Sequence, residues 1–174
     1  MTASLRVRRF GLTLHVLSSV GWLGGVGLAL ALAGTALLSD DESTVRSALI
    51  ALDASGWWYL LPLSVASLTT GIVQSLITRW GLFNHYWIVA KLAINAFAAL
   101  ILLLYMQSLG HYAALAKNTA TTLAELRDPS PLIHTIGALV LLVGATALSI
   151  YKPPGLTRRG YRARERSPGL DPPS

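Results

Sequence analysis

Four stretches of this chain contain no Asp, Glu, Lys or Arg: Phe10–Ser39, Ala54–Thr78, Leu92–Ala116 and Pro129–Tyr151. A helix needs roughly 20 apolar residues to cross the hydrocarbon core of a bilayer, and inside it every backbone polar group must be paired within the protein. Each run meets that length. The sequence therefore predicts an all-α fold, a four-transmembrane-helix bundle.

Composition sets the outer bounds. Of 174 residues 53% are hydrophobic and 13% charged, which leaves room for one membrane bundle and no separate soluble domain. Cysteine is absent, so disulfides, thiol catalysis, thiolate metal sites and iron–sulfur clusters are all excluded. No motif assembles a nucleophile, a base and an oxyanion site, and no enzymatic activity is expected.

The net charge of +6 is a matter of sidedness. If the chain reverses at each crossing, one face collects Arg6, Arg8, Arg9, Arg79, Lys152, Arg158, Arg159, Arg162, Arg164 and Arg166. The other face holds Arg46, Lys117 and Arg127. Short loops rich in Lys and Arg stay cytoplasmic, so both termini are expected in the cytoplasm of a multi-pass protein of the bacterial inner (plasma) membrane. Met1–Arg9 is basic and Ala31-Leu32-Ala33 has the form of a cleavage site, but the first run is about twice the length of a signal-peptide core and is expected to be retained.

Local signals place the helices at about 5–38, 56–78, 85–115 and 131–151, within a transmembrane domain of residues 1–155. Val45, Ala48, Leu49 and Leu52 repeat at helical spacing, so Ser43 or Thr44 is expected to cap a short outer helix that lies along the interface or extends the second crossing. Pro62 predicts a mild kink. Trp57, Trp58, Tyr59, Tyr105 and Tyr112 are expected in an outer aromatic belt, with Trp80, Phe83, Tyr86, Trp87 and Tyr151 in an inner one. Residues 156–174 read as a basic, disordered cytoplasmic tail.

Helices in lipid associate through small residues that admit close approach. The first helix offers Gly21, Gly25, Ala29 and Ala33 at four-residue spacing, with Gly24, Gly27 and Gly34 widening that face. The contact it predicts lies either within one chain or with another copy or membrane protein.

Polar residues inside the runs point toward function. Lys91 follows His85 by six residues, Gln74 precedes Arg79 by five and His15 follows Arg9 by six, so all three fall at one depth in the cytoplasmic half. Asn95 shares a helical face with Lys91, and Ser67, Thr70 and Thr78 share one with Gln74. Ionisable groups at such depth are costly, which marks them as functional suspects. The competing reading has Lys91 snorkelling to headgroup phosphates and the amides joining helices by hydrogen bonds. The absence of acids from the runs argues against a proton pump or cation carrier.

His15, His85, His111 and His134 raise the question of haem b or copper, with Met106 near the outer pair. Interfacial hydrogen bonding accounts for each more simply, so no metal or cofactor is expected. The basic cluster Lys152, Arg158, Arg159, Arg162, Arg164 and Arg166 is placed to meet anionic lipids; without a stacking platform it does not indicate a nucleic acid.

Three stretches carry a resemblance: Leu14-His15-Val16-Leu17-Ser18-Ser19-Val20-Gly21-Trp22-Leu23-Gly24; Trp80-Gly81-Leu82-Phe83-Asn84-His85-Tyr86-Trp87 with Lys91; and Tyr151-Lys152-Pro153-Pro154-Gly155-Leu156-Thr157. They resemble a family of small, uncharacterised actinobacterial integral membrane proteins. The resemblance implies a four-helix inner-membrane protein and no established activity; Asn84 and Pro154 stand where the family pattern carries Arg. Haem-bearing and copper-resistance bundles are a looser likeness. The expected function is action through lateral helix or lipid contacts, the alternatives being a haem- or metal-binding redox protein and a transporter of small anionic solutes.

Overall fold

The first uncharged run forms one helix, α1 (Leu5–Leu38), in a computed structural model that describes residues 4–77 and 82–165. Ser4 caps α1 by accepting the Val7 N–H, and the chain leaves it in extended backbone at Ser39. Then follow α2 (Glu42–Ser55), α3 (Leu61–Ile77), α4 (Tyr86–Lys117), α5 (Leu123–Leu126), α6 (Ser130–Tyr151) and α7 (Arg158–Glu165). No strand forms among the described residues; His85 and Leu156 make an isolated antiparallel bridge. Among the described residues four segments are long and apolar enough to cross a membrane: α1, the joined α2–α3, α4, and Leu123–Tyr151, which contains α6.

The second crossing starts earlier than the sequence indicates. Helix runs unbroken from Glu42 to Ile77, so of the two expected arrangements the short outer helix extends the second crossing, and the start near Gly56 moves back by some four turns. Nothing in Glu42–Ser55 breaks a helix, and its apolar face of Val45, Ala48, Leu49 and Leu52 is buried. The cap is Asp41 rather than Ser43 or Thr44. Its Oδ2 accepts the Thr44 N–H at 2.9 Å and the Ser43 and Thr44 hydroxyls at 2.7 and 2.5 Å. A carboxylate can take all three donors where the helix dipole favours negative charge.

Between α2 and α3 the helix widens into a π turn over Gly56–Leu60, where the Leu61 N–H reaches back to the Gly56 carbonyl. It immediately precedes Pro62, whose ring lacks an N–H and crowds the preceding turn, and an extra residue in that turn relieves the crowding. Tyr59 packs against Gly25, about 20 Å short of the end of α1, so Trp57, Trp58 and Tyr59 lie deeper than an end-of-helix belt requires.

Each long helix neighbours two others. α1 packs on α2–α3 and on α6, α4 packs on the same two, and α1 and α4 face each other across the diagonal. Along α1 and α3 the antiparallel register sets His15 beside Thr70, Ser19 beside Ser67, Gly21 beside Leu63 and Gly25 beside Leu60. The main core gathers Trp22, Val26, Ala29 and Ala33 with Leu60, Ala98, Met106 and Leu142. A second cluster, around Val45, Leu49, Ala116 and Leu126, closes the end near α5. Large apolar side chains also cover the outside, as at Trp58 (86% exposed) and Ile150 (69%).

Two arginines clamp the end near α5. Arg46, on α2, donates to the carbonyls of Ala116, Asn118 and Thr121, at the end of α4 and just beyond. Arg127 donates to the Ser39 carbonyl beyond α1 and to Asp40. Both bring charged donors to carbonyls at or just beyond helix ends.

The expected disordered tail is corrected in part. After α6 the chain turns through Lys152 in the left-handed region (φ 42°) and lies against the loop before α4. The Thr157 N–H donates to the Asn84 carbonyl at 2.9 Å and its hydroxyl to that of Phe83 at 2.5 Å, while the Tyr86 N–H donates to Gly155 at 3.3 Å. Thr157 Oγ1 also accepts the Gly160 N–H, so α7 begins on a threonine cap. Gly160 packs where a side chain cannot: a Cβ there would stand 2.3 Å from the Asn84 oxygen. Thr78, Arg79, Trp80 and Arg166, named above for the polar face, the charge pattern, the inner belt and the lipid contact, fall outside the described residues.

Candidate functional site

α1 and α3 meet through small polar residues because the antiparallel register brings two hydroxyl-bearing stripes together. Ser19 and Ser67 share a hydrogen bond of 2.8 Å, and Ser18 lies 3.4 Å from Thr70 Oγ1. Thr70 donates to the Ala66 carbonyl at 2.6 Å. Its oxygen is then an acceptor, and His15 Nδ1 at 3.2 Å supplies the proton, which leaves Nε2 with its lone pair in the neutral ring. Gly71 makes room for the imidazole, since a Cβ there would come 3.0 Å from His15 Cε1.

Of the four residues assigned to the polar cluster, three line one small cavity: His15 from α1, and Lys91 and Asn95 from α4, beside Ser67 and Gly71. The cavity is about 10 Å³, the size of a single water. Lys91 Nζ also lies over the Trp87 ring, 5.8 Å from its centroid. Gln74 departs from the group. It faces Gly11 on α1, where a Cβ would meet its Oε1 at 3.0 Å, and that oxygen is buried without a hydrogen-bond partner among the described residues.

The histidines make four different sets of contacts. His15 belongs to the α1–α3 seam, His85 stands at the start of α4 beside Leu156, and the exposed His111 tilts against Tyr112. His134 stacks on Tyr105 with ring centroids 3.8 Å apart, and its Nδ1 donates to the Ser130 carbonyl at 2.9 Å. Met106, named beside His111 and His134 for copper, is turned toward the π turn, where a Cβ on Gly56 would meet its Cε at 2.8 Å. No group of three or more His, Asp or Glu with metal-binding proximity occurs among the described residues.

The small-residue stripe of α1 divides. Gly25 lies against Tyr59 and Leu60, and Gly21 against Leu63, while Ala29 and Ala33 are buried in the main core. This stripe is thus spent within the chain. Gly24, Gly27 and Gly34 do not widen it: a Cβ on any of them would meet nothing within 4 Å. At the other end of the bundle, Lys152, Arg158, Arg159 and Arg162 are exposed, Arg159 lies over the Phe83 ring, and Arg164 lies in α7.

Sequence reasoning missed a second, larger space than the polar cavity. An apolar cavity of about 280 Å³ lies among α1, α2, α4 and α6, bounded by Trp22, Leu52, Ala98, Leu109 and Ala138, with Tyr105 and His134 also in its wall. Its signal in the sequence is faint, because Ala98, Gly137 and Ala138 read as packing residues until the opposing helices are in place. Trp22, at 2% exposure, keeps its indole N–H buried without an acceptor among the described residues. No family model, curated protein or solved structure matches the chain.

Proposed function

We propose that this chain is a four-span protein of a bacterial plasma membrane, with both termini in the cytoplasm, that works by lateral contact with lipids and membrane-embedded partners. The observation that carries the reading is the division of the α1 glycines. Gly21 and Gly25 are consumed by α2–α3, whereas Gly24 and Gly27 leave an open groove in an otherwise apolar exterior, the relief that lets a second helix approach closely. In the α1–α3 seam His15 and Ser18 lie within hydrogen-bond distance of Thr70 and Ser19 of Ser67, which favours a packing role for these residues over a polar path. The exposed bases from Lys152 to Arg162 then face anionic headgroups, which agrees with the actinobacterial likeness in its membrane placement.

The cysteine-free chain makes the test direct. Gly24→Cys and Gly27→Cys, crosslinked in native membranes, are expected to capture a neighbour at defined stoichiometry, and Leu100→Cys on the exposed surface of α4 is not. Equal capture at all three positions, or none, sinks the reading.

A second reading rests on the meeting of His15, Lys91 and Asn95 in one cavity: a site for a small anion in transit. Anion uptake into proteoliposomes that disappears in Lys91→Met would establish it. A Soret band or stoichiometric copper in the purified protein would instead support the redox alternative.

A further inference from the structure

We infer, on the membrane placement proposed above and independently of any protein partner for α1, that the 280 Å³ cavity is a binding cleft for one acyl chain of a bilayer phospholipid. The lipid belongs to the leaflet on the α5 side, its glycerol end beside Tyr105 and His134 and its methyl end toward Trp22. Length is the first reason. From Pro131 to Leu141 the wall rises about 15 Å along α6, half of a hydrocarbon core about 30 Å thick. Pro131 stands near one end of the uncharged run Pro129–Tyr151 and Leu141 near its middle, as Trp22 stands near the middle of Phe10–Ser39. The cleft thus reaches from the edge of the bilayer to its midplane, the depth of a single leaflet.

Access is the second reason. Phe97 of α4 and Ile133 of α6 line the cavity and are also exposed, 53% and 62%, and at Gly137 a Cβ would meet nothing within 4 Å. The cavity therefore opens sideways between α4 and α6, and a chain enters it without leaving the bilayer. The wall is also sorted by polarity. His134 and Thr135 lie about one turn from Pro131, with Tyr105 stacked on His134, whereas Phe97, Ala98, Ala138 and Leu141 make the deep part apolar. The Trp22 ring adds only hydrocarbon to that part, because its buried N–H is inaccessible from the cavity. This order is that of a lipid, with its ester groups at the edge and hydrocarbon below. Water does not replace it: an apolar cavity of roughly 150 Å³ stays dry in a protein interior, and a buried water needs two to four polar partners. Left empty, the cleft forfeits the dispersion contacts of its whole wall, and a compact ring satisfies only part of its length.

The test reads tryptophan fluorescence of the full chain in bilayers of phosphatidylcholine brominated toward the ends of its acyl chains, since bromine quenches an indole it approaches closely. A chain with Trp57→Phe, Trp58→Phe, Trp80→Phe and Trp87→Phe keeps Trp22 as its reporter, and a companion chain keeps Trp58 instead. Trp22 is 2% exposed and Trp58 86%, so strong quenching of both is expected only with a lipid chain inside the cleft. Ala138→Leu, which narrows the cleft, is expected to remove most of the quenching of Trp22 and none of that of Trp58, whose response shows that the variant remains inserted. A shielded Trp22 beside a quenched Trp58, or Trp22 quenching indifferent to Ala138→Leu, overturns the proposal. Shielding that disappears on dilution with excess lipid also overturns it and assigns the cleft to a second copy of the chain. An unquenched Trp58 overturns the membrane placement as well, whereas crosslinking at Gly24 and Gly27 bears on neither reporter. A measurement without tryptophan replacements stands beside these: in detergent the wild-type chain is expected to retain one more phospholipid per chain, by phosphate assay, than Ala138→Leu, and equal retention overturns the proposal.

Discussion

Arg46 caps a helix other than its own: its Nη1 donates to the Ala116 carbonyl, 2.9 Å away in the last turn of α4. Glu42, one turn earlier on α2, holds the guanidinium from behind with contacts of 2.6 and 2.8 Å. The last carbonyls of a helix have no intrahelical donors and carry the negative end of its dipole, so a planar cation with several N–H groups suits them. Arg46→Met is expected to destabilise the bundle by about 2 kcal/mol, the order for lost charged hydrogen bonds. Arg46→Lys should recover only part of that, because an ammonium cannot span several carbonyls. Unfolding in detergent with increasing dodecyl sulfate checks the order wild type, Lys, Met.

The glycines of α1 predict a contrast between adjacent positions. At Gly25 a Cβ would stand 2.6 Å from the Tyr59 ring, and at Gly24 it would meet nothing. Gly25→Ala should cost about 1–3 kcal/mol of bundle stability through overpacking. Gly24→Ala should leave it unchanged within about 0.5 kcal/mol. The same unfolding assay compares them; equal loss at both positions contradicts the packing described.

Asp41 predicts an acid limb in the stability curve. Hydrogen bonds from the Thr44 and Ser43 side chains, and from the Thr44 backbone, hold its carboxyl down at about 2 from an ordinary 3.8. A lowered folded value means that the carboxylate stabilises the fold above pH about 4 and loses that contribution as pH falls toward about 2. Asp41→Asn keeps a cap without the titration, so its unfolding midpoint should vary less between pH 4 and 2 than that of the wild type.

Docking of α7 depends on Gly160. A methyl group there would press on the Asn84 carbonyl at 2.3 Å, backbone that cannot swing aside. Gly160→Ala is expected to release Thr157 from Asn84 and Phe83 and to raise the rate of tryptic cleavage after Arg158 and Arg159 several-fold, with the membrane helices intact. Hydrogen exchange at the Thr157 amide gives an independent reading of the same release.

Much of the architecture is legible in one dimension because lipid imposes simple rules on a chain. The bounds of α1 and α6 follow from uninterrupted apolar length, a proline near the start of α6 and polar groups beyond the ends. The common depth of His15 and Lys91 follows from counting residues from the flanking charges, and the structure brings both to one cavity with Asn95. Gln74 shows where counting stops. Depth is shared along the axis, but rotation about it sends this side chain toward Gly11.

The joined α2–α3 helix shows the other limit. Residues 42–55 are mildly polar and read either as a helix along the interface or as an extension of the second crossing; they become part of a long helix because α1 and α4 bury Val45, Ala48, Leu49 and Leu52. The capping box of α5, Thr122 with Glu125, and the Glu42–Arg46 spacing were present in the sequence as signals, but the carbonyls that Arg46 serves lie some 70 positions along the chain.

By itself the sequence determined that this protein is helical, has four segments able to cross a membrane, and carries its positive charge mostly at one end, because hydrophobic length and charge are additive along a chain. Tertiary structure decided which glycines are consumed and which stay open, where the arginines of the opposite end reach, and that Trp22, Ala98 and Ala138 enclose a cavity. Those outcomes depend on the rotation and register of helices far apart in sequence, where one residue of slip or a fraction of a turn sends a side chain to a different neighbour.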